Sequence, residues 1–227
     1  MEDRYLKFIF AIIAASLVLV VSLLFAQYLN NNQISTVSNN LNQVQQGLQE
    51  LQVISSLGNL NSTVSCALIR SGMTSLSSQL SVLSLEAQAD DFENQTGAQY
   101  SSLVDELSYA RIEYWLLAQR IDYQCRYPFT TVLLFYRPQN CASCILQGNE
   151  LSYLEQSDGN LSATSIDGQW NLSAISTLNQ VYNLTPSEYP AMIINGKYVV
   201  KGYQTTAQIL QDLCSYTNKT AFCNGTS

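Results

Sequence analysis

The strongest candidates for a chemical role are two cysteines with two residues between them, in Cys141-Ala142-Ser143-Cys144. They follow an apolar run at residues 131–136 and precede a segment with the pattern of a helix. A helix N-terminus offers unpaired N–H groups and the positive end of the helix dipole, and both favour thiolate over thiol. Because the thiolate is the nucleophile in thiol–disulfide exchange, this position predicts a redox-active dithiol.

The composition excludes several other kinds of site. None of the 227 residues is histidine, which removes Ser-His-Asp and Cys-His catalysis and every imidazole metal ligand. Zinc would need cysteines or carboxylates alone, and the eight residues between Cys214 and Cys223 are not a usual ligand spacing. We therefore predict no metal and no cofactor. A formal net charge of −7 argues against nucleic acid as a partner.

The dithiol lies in a C-terminal segment where strand and helix patterns alternate. An Asn195-Gly196 turn between two apolar runs is a strong signal of a hairpin. The order β-α-β-α-β-β-α predicts an α/β domain with one mixed sheet. The predicted strands are residues 131–136, 164–167, 191–194 and 197–200, and the predicted helices begin at Cys144, near Leu172 and before Ile209.

This segment, from Thr130 to Cys214, resembles the thioredoxin superfamily. The resemblance depends on the cysteine pair after a strand, on Ile166-Asp167, on Gly202, and on a proline that opens the hairpin in Tyr189-Pro190-Ala191-Met192-Ile193-Ile194-Asn195-Gly196-Lys197. It implies that Cys141 is an exposed attacking thiol and Cys144 the resolving thiol. It also implies that Pro190 is a cis-proline facing the dithiol, and that backbone groups near Tyr189 and Pro190 bind a client peptide.

The segment departs from the family pattern at several positions. Asn140 stands where the family has a tryptophan before the first cysteine, and Ala142-Ser143 lacks the histidine of the strongly oxidising members. A thiolate at Cys141 would then depend on the helix end and on Arg137. The family's first strand and helix are also missing, so the upstream helical segments are candidates to cover the sheet edge.

The N-terminal region suggests a membrane anchor. Residues 8–26 are uncharged and almost all apolar, and nineteen such residues match the ~20 that a membrane-spanning helix needs. A cleaved signal peptide is the alternative, but Leu24-Phe25-Ala26 has a large residue where cleavage prefers a small one. Arg4 and Lys7 precede this stretch and the next basic residue is Arg70, which predicts a single-pass signal anchor with the N-terminus in the cytoplasm and the C-terminal domain at the cell surface.

Two further patterns agree with an extracytoplasmic location. The six cysteines are an even number, as an oxidising compartment favours. Acceptor sequences for N-glycosylation all follow the apolar stretch, which predicts a glycoprotein. These acceptors are Asn61, Asn94, Asn160, Asn171, Asn183, Asn218 and Asn224.

The region between the apolar stretch and the C-terminal domain carries three apolar stripes at alternating spacings of three and four residues, which predict three helices. The first stripe belongs to a juxtamembrane stalk that either forms a coiled coil between copies of the chain or packs within its own chain. The other two helices, separated by a short polar loop, are expected to pack antiparallel. The stripes are Ile34, Val37, Leu41, Val44, Leu48 and Leu51; Cys66, Ile69, Met73, Leu76, Leu80 and Leu83; and Leu103, Leu107, Ala110, Tyr114, Leu117 and Ile121.

The antiparallel hairpin predicts a disulfide. It brings the start of its first helix to the end of its second, so Cys66 and Cys125 come to the same end. The alternative is two buried free thiols. Cys214 and Cys223 are predicted to form a second structural bridge that closes a small loop.

Together these patterns predict an α/β, thioredoxin-like fold preceded by a transmembrane helix and an all-α hairpin or stalk. The predicted function is a membrane-anchored thiol–disulfide oxidoreductase whose clients are exported proteins and which could need a membrane redox partner. The alternative is a non-catalytic, glycosylated surface adaptor in which the cysteine pair is a permanent bridge. The predicted regions are a cytoplasmic tail (1–7), a transmembrane helix (8–26), a stalk (27–57), a helical hairpin (58–128) and a thioredoxin-like domain (129–227).

Overall fold

In the described residues of the N-terminal half of the chain, three helices are present. The structure is a computed structural model that describes residues 2–56, 62–88, 98–125, 130–216 and 223. The helices are α1 (Glu2–Ser56), α2 (Ser62–Gln88) and α3 (Ala98–Cys125). The second half of α1 packs against α2 and α3, so that the three helices form one bundle.

The apolar stripes of the three helices form the core of this bundle. Gly47 and Gly72 let α1 and α2 approach closely, because a Cβ atom at these positions would lie 2.8 Å from Leu76 Cδ2 and 2.7 Å from Leu51 Cδ2. The stripe of the predicted stalk is therefore buried within its own chain. The core residues are Val37, Leu41, Val44, Leu48 and Leu51 of α1, Ile69, Met73, Leu76, Leu80 and Leu83 of α2, and Leu103, Leu107, Ala110, Tyr114, Leu117, Ala118 and Ile121 of α3.

The prediction of a transmembrane helix at residues 8–26 is wrong. In the described part of the chain, the structure has no helix whose length and apolar character suffice to cross a membrane. Two described side chains within this stretch are polar, since the Ser16 and Ser22 hydroxyls donate to the carbonyl oxygens of Ile13 and Val18. The side chains of residues 8–12, 14, 25 and 26 lie outside the described residues.

The C-terminal half is a four-stranded mixed sheet with helices. The strand order is β2-β1-β3-β4, in which β1 and β2 are parallel and the other neighbours antiparallel. The elements are β1 (Thr130–Tyr136), α4 (Ala142–Ser157), β2 (Leu161–Asp167), α5 (Ser173–Val181), a 3₁₀ turn (Pro186–Glu188), β3 (Ala191–Ile194), β4 (Tyr198–Lys201) and α6 (Thr206–Tyr216).

The sheet has a core on each face. Strand β1 is apolar at successive positions because it is buried on both sides, as central strands of such sheets are. Val132 and Leu134 pack with residues of α4 and α6, whereas Leu133 and Phe135 pack with residues of α5 and α3.

Helix α3 belongs to both halves of the molecule. Tyr114 and Leu117 lie in the core of the helical bundle, while Ile112 and Trp115 lie in the core of the sheet. The Tyr114 hydroxyl also lies 2.8 Å from the Ser162 hydroxyl of β2, and burial raises the pKa of Tyr114 to about 12. One helix therefore joins the bundle to the sheet.

Candidate active site

The two cysteines of the candidate site lie at the start of α4. Cys141 is the N-cap residue of the helix and Cys144 lies in its first turn. The pair forms a disulfide with a Cα–Cα distance of 5.2 Å. The Cys144 backbone N–H lies 3.2 Å from Cys141 Sγ and 3.0 Å from the Cys141 carbonyl oxygen. A helix N–H that points at sulfur favours the thiolate of the reduced pair.

A hydroxyl group lies next to the first sulfur. Ser143 Oγ is 3.5 Å from Cys141 Sγ, within range of a weak sulfur hydrogen bond. Arg137, between β1 and Cys141, is half-buried, and its Nε atom is buried with no hydrogen-bond partner among the described residues. The two hydrogen-bonding groups found at Cys141 Sγ among the described residues are therefore a backbone N–H and a hydroxyl.

The dithiol is more buried than the family resemblance implies. Cys141 is 7% exposed and Cys144 4% exposed. The neighbouring Asn140 and Ala142 are exposed, so the chain on both sides of Cys141 reaches the surface. Cys141 is the more exposed of the two cysteines, although both are buried.

One of the two residues expected near the dithiol, Tyr189, lies in the same cluster of buried side chains as the cysteines. Tyr189 packs in the cluster that includes Cys141 and Cys144, and its ring stacks on Phe135 with a centroid distance of 6.1 Å. The Tyr189–Pro190 peptide is cis, and both residues are buried. The structure therefore brings Tyr189 to the cysteine pair.

Hydrogen bonds fix the position of the segment around Tyr189. The Tyr189 hydroxyl lies 2.8 Å from Asn179 Oδ1 and 3.1 Å from the Gly168 carbonyl oxygen, and burial raises the pKa of Tyr189. The Pro190 carbonyl oxygen accepts a hydrogen bond from the Gly202 N–H at 2.8 Å. That carbonyl therefore has one hydrogen-bond partner within the protein, and the prediction that backbone groups near Tyr189 and Pro190 bind a client peptide stays a prediction.

The other four cysteines lie far from this pair in the chain. Cys66 and Cys125 form a disulfide that joins the beginning of α2 to the last residue of α3. Cys214 of α6 forms a disulfide with Cys223. Three disulfides use all six cysteines, which indicates an oxidising, extracytoplasmic environment.

The predicted glycosylation sites differ in their surroundings. Asn171 and Asn183 are exposed, whereas Asn160 is half-buried at the start of β2. Both exposed residues line one groove between β2 and α5. The remaining acceptors, which lie outside the described residues, are Asn61, Asn94, Asn218 and Asn224.

Sequence reasoning missed the contribution of α3 to the site. Ile112 and Trp115 belong to the buried cluster of the cysteines, and Trp115 meets Tyr182 edge to face at 6.4 Å. The signal was the spacing of four residues between Arg111, Trp115 and Gln119, which marks a second face on the helix. Because two of these three residues are polar, the face does not stand out as a stripe of apolar residues.

No family model, curated protein or solved structure matches the chain. The candidate site is therefore defined by the geometry of its own residues. That geometry combines a disulfide at a helix N-terminus, a donor directed at the first sulfur, and a buried cluster in which both cysteines lie together with aromatic side chains.

Proposed function

We propose that the protein is an extracytoplasmic thiol–disulfide oxidoreductase with a thioredoxin-like domain, and that its substrates are cysteines of exported proteins. The observation that carries the proposal is the position of Cys141 and Cys144. They form a disulfide at the N-terminus of α4, and the Cys144 N–H lies 3.2 Å from Cys141 Sγ. This donor and the helix dipole stabilise a thiolate that leaves or attacks at this sulfur.

The oxidised pair supports the following exchange. A client thiolate attacks Cys141 Sγ, the Cys141–Cys144 bond breaks, and Cys144 leaves as a thiolate. A second client thiolate then attacks the client sulfur of the mixed disulfide and releases Cys141 as a thiolate. The client has lost two electrons and gained a disulfide, while the Cys141–Cys144 pair has gained two electrons. A further turnover requires a redox partner that oxidises the pair again.

Trapping of the mixed disulfide tests the proposal. With Cys144→Ser in the full chain, the resolving thiol is absent, so an adduct on Cys141 should persist when the protein is expressed in an oxidising compartment. Non-reducing electrophoresis and peptide mass spectrometry should show client proteins attached through Cys141. The double variant Cys141→Ser, Cys144→Ser keeps the other two disulfides and should carry no adduct.

A second function is favoured by the burial of the cysteines. Exposures of 7% and 4% also suit a permanent bridge in a non-catalytic binding protein. Titration of the wild-type protein in glutathione buffers separates the two functions. An oxidoreductase should be reduced within the potentials of these buffers, whereas a structural bridge typically has a potential below about −300 mV and stays oxidised. A pair that stays oxidised, together with no adduct on Cys141, would reject the catalytic proposal.

A further inference from the structure

A groove of about 570 Å³ lies between the end of β2 and helix α5. One wall is the loop at residues 168–172 and the other is the loop that follows α5. Its lining is rich in side-chain amides and includes one hydroxyl group, and none of the described residues that line it is charged. Such a lining suits an uncharged ligand with many hydroxyl groups, because amides both donate and accept hydrogen bonds. The polar side chains include Gln169, Asn171, Ser176, Asn179, Gln180 and Asn183.

An aromatic side chain in this groove is held in place. The Trp170 indole N–H donates to Asp105 Oδ1 of α3 at 2.6 Å, and the residue is half-buried against the sheet core. Trp170 also lines the groove. An ordered aromatic ring that is partly exposed to solvent provides apolar contact area for the C–H face of a sugar ring at little cost in side-chain entropy.

Asn171 stands at the rim of the groove on a tight turn. The Leu172 N–H donates to the Trp170 carbonyl oxygen at 2.8 Å, so the chain reverses at Asn171, which is exposed. The acceptor sequence Asn171-Leu172-Ser173 ends at an exposed serine, the first residue of α5. Both ends of the acceptor sequence are therefore at the surface.

The other two described acceptors have structural explanations. Asn183 has a φ of 51° directly after α5, and the Leu184 N–H donates to the Asn179 carbonyl oxygen at 2.8 Å, which is the geometry of a helix C-cap that favours asparagine. In the third acceptor sequence, the Ser162 hydroxyl is buried and lies 2.8 Å from the Tyr114 hydroxyl. Neither position requires a glycan to account for its residue type.

We propose that Asn171 carries an N-linked glycan whose first sugar lies in this groove against Trp170. In the modification, Asn171 Nδ2 forms a bond to the anomeric carbon of a sugar from a lipid-linked sugar phosphate donor. The bond from that carbon to the phosphate oxygen breaks, and the amide loses one proton. The extracytoplasmic location is where such transfer takes place.

The sugar would stabilise a segment that supports the cysteine cluster. Gly168 and Asn179 line the groove, and they are also the hydrogen-bond partners of the Tyr189 hydroxyl. A sugar held between the two walls restrains the loop at residues 168–172. This inference does not depend on thiol chemistry, because it holds equally if Cys141 and Cys144 form a permanent bridge.

The test uses the full chain expressed in the secretory pathway of eukaryotic cells. Glycopeptide mass spectrometry should find Asn171 occupied, and its glycan is then trimmed enzymatically to a single N-acetylglucosamine. Hydrogen exchange of residues 168–172 in this trimmed protein should be slower, by about tenfold, than in Ser173→Ala, which keeps Asn171 but lacks the acceptor sequence. In Trp170→Phe, Asn171 should remain glycosylated, but the sugar should slow the hydrogen exchange of residues 168–172 by a smaller factor.

Two outcomes would overturn the inference. One is an Asn171 that carries no glycan, whether or not the cells glycosylate another acceptor of the chain. The other is an occupied Asn171 with equal exchange of residues 168–172 in the trimmed protein and in Ser173→Ala, which would place the sugar in solvent. Adducts on Cys141 are unaffected by either outcome, so the two proposals can fail separately.

Discussion

The Arg111 guanidinium of α3 donates a hydrogen bond to the Ser165 carbonyl oxygen of β2 over 3.1 Å. Strand β2 is an edge strand, and a second backbone group at the same edge is also bound, because the Ala163 N–H donates to Glu155 Oε1 of α4 at 3.2 Å. Residues two apart present their backbone groups to the same edge. Side chains of α3 and α4 thus occupy an edge at which another chain could otherwise pair.

We expect Arg111→Met to destabilise the protein by about 1–3 kcal/mol, because the Ser165 carbonyl loses a charge-assisted partner. Methionine retains much of the aliphatic packing. The measurement is urea unfolding followed by circular dichroism. Arg120→Met on the same helix is the control, since Arg120 is exposed and its loss should change stability by less than about 0.5 kcal/mol. Equal losses in the two variants would show that Arg111 does not protect the edge.

The second edge contact makes stability depend on pH. Burial raises the pKa of Glu155, and hydrogen bonds from the Ala163 N–H and the Ser77 hydroxyl only partly offset it. The folded state therefore holds the proton more tightly than the unfolded state. The contribution of Glu155 to the free energy of unfolding is fully present below its ordinary pKa of 4.5. It is lost as the pH rises through the raised pKa of the folded state.

Glu155→Gln should remove this decline, because the amide cannot ionise and still offers an oxygen to Ala163. Urea unfolding from pH 4 to pH 8 measures how the free energy of unfolding depends on pH. As pH rises, the variant should become more stable relative to the wild type. Glu188 provides a control of opposite sign, since the hydrogen bond from Lys201 lowers its pKa and its contribution is lost as pH falls. A parallel pH profile for wild type and Glu155→Gln would contradict the assignment.

The bundle and the sheet were predictable from local patterns, but the residues of α3 that join them were not. The spacing of Leu103, Leu107 and Leu117 predicted the face of α3 that the bundle buries. The opposite face buries Arg111 and Trp115, and Arg111 is polar because it binds a backbone carbonyl of another element. A periodicity of apolar residues cannot reveal a buried face whose polar members have tertiary partners.

The same distinction applies to the cysteines. Spacing and the preceding strand located Cys141 and Cys144 at a helix start, because that placement follows from local sequence. The burial of the two cysteines depends on Tyr189 and on residues of α3, which are distant in the sequence and pack in the same cluster. Exposure of a thiol is a tertiary property, so the sequence alone could not provide it.

We expect Gly168→Ala to destabilise the protein by about 1–3 kcal/mol. A Cβ atom there would lie 2.3 Å from the Tyr189 hydroxyl oxygen and 2.4 Å from its Cζ atom, so the buried ring must move and lose its bond to Asn179. Gly159→Ala is the matched control, because a Cβ at Gly159 meets no atom within 4 Å. Thermal unfolding of both variants measures the effect. If Gly168→Ala proved as stable as the control, Tyr189 would not be fixed at this position.

The two structural disulfides should contribute unequally to stability. A crosslink restricts the unfolded chain more when it closes a longer loop. The Cys66–Cys125 bridge spans 59 residues and the Cys214–Cys223 bridge spans 9. The loop-entropy relation gives about 4 kcal/mol for the first and about 3 kcal/mol for the second, so replacing Cys66 and Cys125 by alanine should lower the unfolding free energy more. Urea unfolding of the two double variants, each with its other disulfides intact, tests the order. A larger loss for the Cys214, Cys223 variant would mean that native contacts around that bridge outweigh the entropy of the unfolded chain.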